Sequence, residues 1–418
     1  MLTVTEERVA LGPFEVDIAT RRLLRDGVEL QLRPRAFRVL QMLVQNRGRV
    51  IEYETMVHEA WDGVKVSKHT VAVTVSEIKS VLHEYGSWIA CRPKFGYCLE
   101  VPASEELLRR GWHFRNQFTR EGFENALLCF QEAAQHDGAD FRAFEAIAST
   151  HLMLAVFMMR PPRQMYSGFL AAHKRAVALR GLTPELRADL AYFGLYILEQ
   201  RVVDAEAELR EVQKERPMWA DVYVRLAMVY SAVGRLDDAL KVLHEAQAVD
   251  ALMAPVAFVE TLVLLFRREF DAAVACGKRA TSLHPGSQFG RVFYAEALQF
   301  SGEIEEALTQ YRLAVAMAPD THWIRALEAR CLAKNGRSKE AIAILQDLER
   351  LRVRDYVDAY HMALLLESLG RREEALKELQ RAYEDGSAML LWMHVDPRAS
   401  SIEDDPVFTR LKDKVGLP

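Results

Sequence analysis

The sequence lacks the patterns that mark most metal and cofactor sites. Its twelve histidines form no His-x-x-x-His or His-Glu-x-x-His pattern, and no glycine-rich phosphate loop is present. We therefore expect no metal and no other cofactor. No motif supports an enzyme.

Cysteine and long apolar runs are also scarce. The five cysteines are odd in number and form no Cys-x-x-Cys, which indicates free thiols in a reducing compartment. The first residues show no basic-then-apolar signal pattern. The most apolar run, residues 251–266, is too short to span a bilayer and contains Glu260. We expect no membrane partner and a cytoplasmic location.

An excess of positive charge is absent as well. The formal net charge of −5 at pH 7 argues against a protein that coats nucleic acid without sequence preference. It leaves room for a local DNA-binding surface. The 418 residues, 50% of them hydrophobic, are enough for two or more globular domains.

What the sequence does contain is a 34-residue repeat over its back three quarters. Glycines at this spacing, or at twice it, each lie five residues before an alanine, and Arg268 and Gln200 fill the glycine slot of two further copies. Small residues at fixed offsets let two helices approach closely, and glycine favours the turn between them. The spacing predicts stacked helix pairs. The glycines are Gly234, Gly302, Gly336 and Gly370, and the alanines are Ala205, Ala239, Ala273, Ala307, Ala341 and Ala375.

These repeats resemble the tetratricopeptide repeat. The resemblance implies an all-α solenoid of about eight helix pairs over residues 104–389, with residues 390–418 as a C-terminal capping segment that contains a helix at 405–415.

Two looser copies precede the regular ones. The first places Ala126 and Ala133 in the small-residue positions, and the second places Ala171 and Ala178 there. The extra residues between these copies predict a lengthened helix around residues 141–158.

In this family the first helix of each pair lines a concave groove. The matching positions imply a groove that binds a protein, a peptide or a small ligand. The lysines and asparagine with which some family members hold an acidic peptide C-terminus are missing here. The alternative is that the aromatic residues belong to the core between repeats. The candidate groove residues are Phe258, Phe289, Phe300, Trp323 and Arg330.

The first quarter of the chain mixes strand and helix patterns. Residues 11–32 predict strands around an Asp26-Gly27 turn. Helices are expected from Pro34 to Asn46 and roughly from Tyr53 to Trp61.

The stretch HTVAVTVSEIKSVLHEY at residues 69–85 fits both a strand and a helix. Its start alternates β-branched residues, but its apolar positions step by four and three over seventeen residues, which favours a helix. A hairpin closed around residues 93–96 follows, with Cys91 and Cys98 expected to face each other across it.

Strands, three helices and a closing hairpin predict a winged helix-turn-helix. The segments GRVIEYETMVHEAW, HTVAVTVSEIKSVL and PKFGY resemble the three signature segments of the OmpR/PhoB-type effector domain over about residues 8–101. We assign residues 1–103 to this α+β domain, which makes the chain a multidomain protein. A winged helix joined to repeats without a receiver domain is similar to the HilA and CadC type of bacterial regulators, although no membrane span like that of CadC-like proteins is expected.

The resemblance makes residues 69–85 the recognition helix, whose polar side enters the major groove. The positions that match the family's base contacts are Thr74, Ser76, Glu77 and Lys79. Thr74 is expected to touch a thymine methyl, and Glu77 is expected to accept a hydrogen bond from cytosine N4. The alternative is that Ser76 and Glu77 are solvated or cap a neighbouring helix.

Other cations match the positions at which the family contacts phosphate. Residues 1–103 carry fourteen lysines and arginines against thirteen aspartates and glutamates, so we expect weak non-specific affinity and a modest salt dependence. The candidate phosphate contacts are Arg33, Arg35, Arg38, Lys65, Lys68, Arg92 and Lys94.

Together these patterns predict a bacterial DNA-binding transcription regulator. Double-stranded promoter DNA is the expected partner of the first domain, and the loop Asp62–Lys68 matches the segment with which relatives meet RNA polymerase. The ligand of the repeats would control DNA binding or oligomerisation, and monomer and homodimer both stay open. The alternative function is a protein–protein scaffold whose winged helix has lost specific DNA binding.

Overall fold

The computed structural model describes residues 8–25 and 27–416, which form two compact units. The first unit contains the described residues up to Arg110 together with residues 135–137, and the second unit contains the remainder. The division between them falls inside the helix Ala103–Arg115.

The first unit begins with a four-stranded antiparallel sheet whose strands follow chain order. Leu11, Phe14, Val16 and Leu23 are at most 2% exposed and form the core side of the sheet. The predicted hairpin is confirmed by the pairing of Arg25 with Val28, while Asp26 of its turn lies outside the described residues. The strands are β1 (Arg8–Leu11), β2 (Phe14–Asp17), β3 (Arg22–Arg25) and β4 (Val28–Leu30).

Three helices pack with the core side of this sheet. Leu40 of the first helix and Val71 and Ile78 of the third are fully buried in one shared core. The helical interpretation of residues 69–85 is confirmed as far as Val81, after which a 3₁₀ segment (His83–Trp88) continues the chain. The helices are α1 (Pro34–Gln45), α2 (Tyr53–Ala60) and α3 (Lys68–Val81).

A second sheet of three strands forms the wing, in the order β5 (Val50–Glu52), β7 (Gly96–Leu99), β6 (Ile89–Arg92). The sequence did not predict β5 as a strand. Its pairing depends on Gly96, because a Cβ atom at that position would lie 1.9 Å from the Ile51 carbonyl oxygen. The first unit is therefore a winged helix-turn-helix.

The expected facing of the two wing cysteines is wrong. Cys91 pairs with Tyr97 and Cys98 pairs with Ala90, so the two thiols lie on opposite faces of the hairpin. Cys91 is exposed and Cys98 is buried.

From Ala103 onward the described residues form sixteen helices in eight consecutive pairs, and the helix Pro184–Leu190 continues as a π-helical stretch (Ala191–Leu198). Two 3₁₀ segments (Ala388–Trp392 and Pro397–Ala399) and α20 (Pro406–Lys414) follow. The paired helices are α4 (Ala103–Arg115), α5 (Arg120–His136), α6 (Phe141–Val156), α7 (Pro162–Arg180), α8 (Pro184–Leu190), α9 (Val202–Glu215), α10 (Ala220–Ala232), α11 (Leu236–Val249), α12 (Ala254–Phe266), α13 (Phe270–Leu283), α14 (Gln288–Phe300), α15 (Ile304–Met317), α16 (His322–Lys334), α17 (Ser338–Leu351), α18 (Ala359–Ser368) and α19 (Arg372–Asp385).

The 34-residue register is confirmed by the backbone. All four repeat glycines have positive φ, and so do Arg268 (φ 62°) and Gln200 (φ 57°) in the same slot. The six repeat alanines are 0% exposed, as close approach of the paired helices requires. The turn therefore keeps its left-handed conformation even where a side chain makes that conformation costly.

The register of the second loose copy is wrong by two residues. Ala171 and Ala178 are exposed, whereas Phe169 and Ala176 are 0% exposed and occupy the core positions of α7. A phenylalanine fills the slot for which the sequence reading required an alanine. The predictions of a lengthened helix around 141–158 and of a helix at 405–415 are confirmed by α6 and α20.

Early and late helices of the second unit meet. The Trp323 indole Nε1 donates to the Phe157 carbonyl oxygen at 2.9 Å, and the Phe157 ring stacks on Phe289 with centroids 4.4 Å apart. Asp355 accepts hydrogen bonds from Arg120 and from Arg160. The repeats thus curl until α5 and α6 contact the segments around α14, α16 and α18.

The segment after the last repeat lies against the inner side of the solenoid. Trp392 Nε1 donates to the Met228 carbonyl oxygen of α10 at 2.9 Å, and Arg398 Nη1 donates to Glu296 of α14 at 2.8 Å. Beyond it, α20 packs on α19, where Arg372 pairs with Asp405 at 2.9 Å. Residues 388–399 therefore link repeats that are distant in sequence.

Candidate DNA interface and repeat cavity

One side of α3 is exposed to solvent. His69, Val73, Ser76 and Ser80, here called the exposed row, step by four, three and four residues and form a single stripe along the helix. Val73 is 46% exposed and gives this stripe an apolar side chain. The exposed row is small and neutral at most positions, with only His69 able to carry charge.

The prediction for Thr74 requires a correction. Thr74 is 8% exposed, and its hydroxyl donates to the Thr70 carbonyl oxygen at 3.0 Å. The side chain faces the core because the apolar side of α3 includes Val71, Val75 and Ile78, which flank it on the helix. Val73, one residue earlier, holds the solvent-facing position. The sequence offered one signal for this, because Val73 lies outside the four-and-three spacing of the apolar side.

Glu77 is committed to another helix of the domain. It accepts from Arg33 Nε at 2.7 Å and from the Arg33 backbone N–H at 3.2 Å, at the residue that precedes α1. The hydrogen bonds from Arg33 hold the pKa of Glu77 below its ordinary value despite partial burial. This geometry favours the alternative that Glu77 caps a neighbouring helix over the reading of cytosine.

The eight candidate cations of this unit fall into two groups. Arg33 pairs with Glu77, Arg38 with Asp62, and Arg92 with Glu100, while Lys68 lies 4.8 Å from the centroid of the Tyr53 ring. In the part of the chain that the structure describes, no hydrogen bond or ion pair engages the second group, which is Arg35, Lys65, Lys79 and Lys94. Those four side chains are available for phosphate without first breaking a contact.

The tip of the wing presents an aromatic side chain that the sequence reading missed. Phe95 is 66% exposed beside Lys94, whose φ of 74° forms the turn between β6 and β7. The backbone of Phe95 is fixed, since its carbonyl oxygen accepts from the Tyr53 N–H at 3.0 Å. Ser76, Lys79 and Lys94 stay candidates for DNA contact on the grounds of exposure or lack of a partner.

The second unit contains a cavity of about 1100 Å³. Its wall is built mainly from first helices of the pairs, as the resemblance implied, and Phe258, Phe289 and Trp323 contribute to it. Phe300 and Arg330 do not line it: Phe300 stacks on Phe270, and Arg330 is 4% exposed with its guanidinium 5.8 Å from the Phe300 ring. These two residues serve the packing between repeats.

Charged residues gather at one part of the cavity wall. Arg225 of α10 lies between Asp189 and Asp221, with nitrogen to oxygen distances of 2.7 Å to each. Arg115 of α4 donates to the Ser149 hydroxyl at 3.1 Å and stacks over Trp112. Burial lowers the pKa of the Arg115 guanidinium from its ordinary value, although the carboxylates of Asp189 and Asp221 oppose this shift.

Glu145 of α6 lies on the same wall. Burial raises the pKa of Glu145 to about 7, and the negative charges of Glu185, Asp189 and Asp140 add to this effect while Arg180 opposes it. The sequence did not single out any of these residues, because they are spread over four helices and become neighbours only through the curl of the repeats.

Comparison with known proteins agrees with the two-part architecture. Residues 27–99 match the family model described as "Transcriptional regulatory protein, C terminal". The transcriptional activator CadC of Escherichia coli is 30% identical over 98 residues, which are 22% of this chain and 19% of CadC. The transcriptional regulatory protein CutR of Streptomyces coelicolor is 35% identical over 72 residues, or 17% of this chain and 33% of CutR. The chain thus matches only about a fifth to a third of these relatives' length.

The repeat architecture also has a counterpart among solved structures. The human IFIT1 dimer with m7Gppp-AAAA aligns with a TM-score of 0.53 over 87% of this chain and 80% of that chain, at 15% identity. At such identity the likeness concerns the fold alone. The expected resemblance to an OmpR/PhoB-type domain followed by tetratricopeptide-like repeats is confirmed.

A helix that spans a membrane must be both long and apolar. Within residues 8–25 and 27–416, none of them combines the length and the apolar character of a membrane span.

Proposed function

We propose that this protein is a cytoplasmic transcription regulator that reads promoter DNA with α3. The repeat unit binds a ligand that controls DNA binding or oligomeric state. DNA reading is supported by the exposed row of α3, together with candidate cations that no hydrogen bond or ion pair engages within the described residues. An α-helix of this kind enters the major groove, where Val73 fits a thymine methyl and Ser76 can hydrogen-bond to either base type.

Phosphate contacts supply the affinity in this proposal. Arg35 lies at the start of α1, Lys65 lies in the loop before α3, and Lys94 lies in the turn of the wing hairpin. We assign these three cations to phosphates on either side of the bases that α3 reads. Their number is small, so the salt dependence of binding is expected to be modest.

A genome-wide crosslinking experiment tests this function. The tagged protein is expected to give sharp peaks upstream of a few genes, and the Lys79→Glu variant is expected to lose them because a carboxylate there repels phosphate. Lys174→Glu on α7 makes the same charge change in the repeat unit and serves as the control.

The scaffold is the second candidate, and the pairing of Glu77 with Arg33 favours it, since that pair removes two of the matched contacts from DNA. Equal crosslinking of the original protein and Lys79→Glu under several growth conditions would support the scaffold and refute the regulator.

The salt dependence of DNA binding is expected to distinguish Arg35 from Arg33, which already pairs with Glu77. Arg35→Ala is expected to weaken binding to all sequences and to reduce the slope of log K against log salt by about 0.9, the value for one phosphate contact. The double variant Arg33→Ala/Glu77→Ala is expected to keep the slope, because it removes one positive and one negative charge that already neutralise each other. Slopes are measured by fluorescence anisotropy with a labelled promoter fragment. A larger slope change in the double variant than in Arg35→Ala would contradict this division of the cations.

A further inference from the structure

We propose that the cavity of the repeat unit binds a basic amphiphile. Such a molecule has an elongated aromatic or aliphatic body and a protonated amine or amidine that contacts Glu145. This inference rests on the part of the proposed function that gives the repeat unit a ligand, and it specifies the chemistry of that ligand.

The size and lining of the cavity point to an apolar body. A volume of about 1100 Å³ is at the upper end of what small-molecule sites enclose. Four tryptophans and several phenylalanines and methionines line it, which provides flat and adaptable apolar surface. The tryptophans are Trp112, Trp219, Trp323 and Trp392.

Helix α6 shows how polar and apolar lining are separated. Its cavity face begins with Arg142, Glu145 and Ser149 and continues with Leu152 and Val156. Glu145 and Val156 are eleven residues apart, which is roughly 16 Å along the helix axis. The aromatic cluster of Phe157, Phe289 and Trp323 follows at the far end. A ligand that satisfies both ends is therefore long and carries its polar group at one end.

The charges on the wall select the sign of that polar group. Most charged lining residues are already neutralised by partners: Arg225 by Asp189 and Asp221, and Glu185 by Arg216 at 2.5 Å. Arg142 pairs with Asp140 at 2.7 Å, and Arg398 pairs with Glu296 and Asp396.

Glu145 differs from these residues. Among the described residues, no hydrogen bond or ion pair reaches its carboxylate, and Arg180 acts on it only at longer range. A bound cation would supply the missing partner. Arg115 does not favour an anion to the same degree, because Ser149 and the Trp112 ring already contact it and Asp189 and Asp221 lie near it.

The test compares three fluorescent probes with the full-length protein. Monodansylcadaverine carries a dansyl ring and an aminopentyl tail, dansyl-aminocaproate replaces the amine by a carboxylate, and dansyl-pentylamide has no charged end. Monodansylcadaverine is expected to bind at least about tenfold more tightly than either control, the scale of one charge-assisted hydrogen bond. Glu145→Gln is expected to remove this advantage, and Glu132→Gln on the exposed side of α5 is expected to keep it.

The advantage is also expected to depend on pH. Since the pKa of Glu145 is raised to about 7, the carboxylate is ionised at pH 8 and largely protonated at pH 6, whereas an alkyl amine stays protonated throughout. The affinity for monodansylcadaverine is therefore expected to fall between pH 8 and pH 6 in the original protein and to stay flat in Glu145→Gln. That variant keeps the shape of the side chain and removes a poorly solvated charge, so it is expected to fold.

Three results would overturn the proposal. These are binding of dansyl-aminocaproate as tight as that of monodansylcadaverine, an unchanged preference in Glu145→Gln, and no fluorescence change with the amine probe at all. The titration contains no DNA, so its failure is separate from a failure of promoter binding. Crosslinking that succeeds while the probes fail would keep the regulator and discard the basic amphiphile.

Discussion

Replacing Arg398 by methionine is expected to lower the free energy of unfolding of the repeat unit by about 3–5 kcal/mol. The Arg398 side chain is 3% exposed and pairs with Asp396 at 2.7 Å and with Glu296 at 2.8 Å. Methionine fills a similar volume but leaves two carboxylates buried without a cation. Urea unfolding, followed by circular dichroism at helical wavelengths, measures the loss.

The controls for this variant separate charge from packing. Arg410→Met on the exposed side of α20 is expected to change stability by less than about 0.5 kcal/mol. The triple variant Glu296→Gln/Asp396→Asn/Arg398→Met is expected to recover part of the loss, because no uncompensated charge stays buried. If the single variant were as stable as Arg410→Met, residues 388–399 would not cross the inner side of the solenoid.

The same variant has an expected pH dependence. Burial raises the pKa of Asp396, but its contacts with Arg398 outweigh this and hold the pKa below its ordinary value. Without the Arg398 guanidinium, only the backbone N–H of residue 398 and the Tyr360 hydroxyl still oppose the effect of burial on this pKa. The folded variant therefore takes up a proton at Asp396 more readily than the folded original protein does. The stability lost in Arg398→Met is therefore expected to shrink as the pH is lowered toward the ordinary pKa range of carboxylates.

Replacing Ser76 by glutamate is expected to reduce affinity for a promoter site by about 100-fold or more. Ser76 lies in the middle of the exposed row of α3, where a carboxylate would meet base edges and the phosphates of both strands. Affinity is measured by fluorescence anisotropy on a promoter fragment recovered by crosslinking.

Ala19→Glu provides the matched charge change, because Ala19 is exposed in the turn between β2 and β3 and not on the reading helix. It is expected to bind within about threefold of the original protein, since one distant surface charge acts only through screened electrostatics. Equal losses in both variants would mean that net charge, and not the exposed row, determines binding.

Much of the fold follows from local signals. The 34-residue register predicts the turns so well that Arg268 and Gln200 adopt the left-handed conformation of the glycines they replace. The apolar spacing of residues 69–85 identifies α3 against a competing strand pattern, because the helical match is longer. Where the pattern was ambiguous, as at Ala171 and Ala178, the register was wrong because Phe169 took the small-residue slot.

The candidate sites depend more on contacts between distant residues. Thr74 and Val73 are neighbours in sequence, and only the packing of α3 against α1 and the sheet determines which of them faces solvent. Glu77 is a plausible base contact in sequence, yet Arg33, forty-four residues earlier, engages it.

The sequence by itself determined the winged helix, the number of helix pairs and the position of the reading helix, because periodicity, turn residues and small-residue spacing act over a few turns of chain. Tertiary structure alone decided which α3 residues are exposed, how residues 388–399 cross the solenoid, and where the cavity lies. The last two depend on pairs such as Trp323 with Phe157 and Arg398 with Glu296, which are more than a hundred residues apart. Small rotations accumulate from repeat to repeat, and their sum, which no single repeat encodes, brings such residues together.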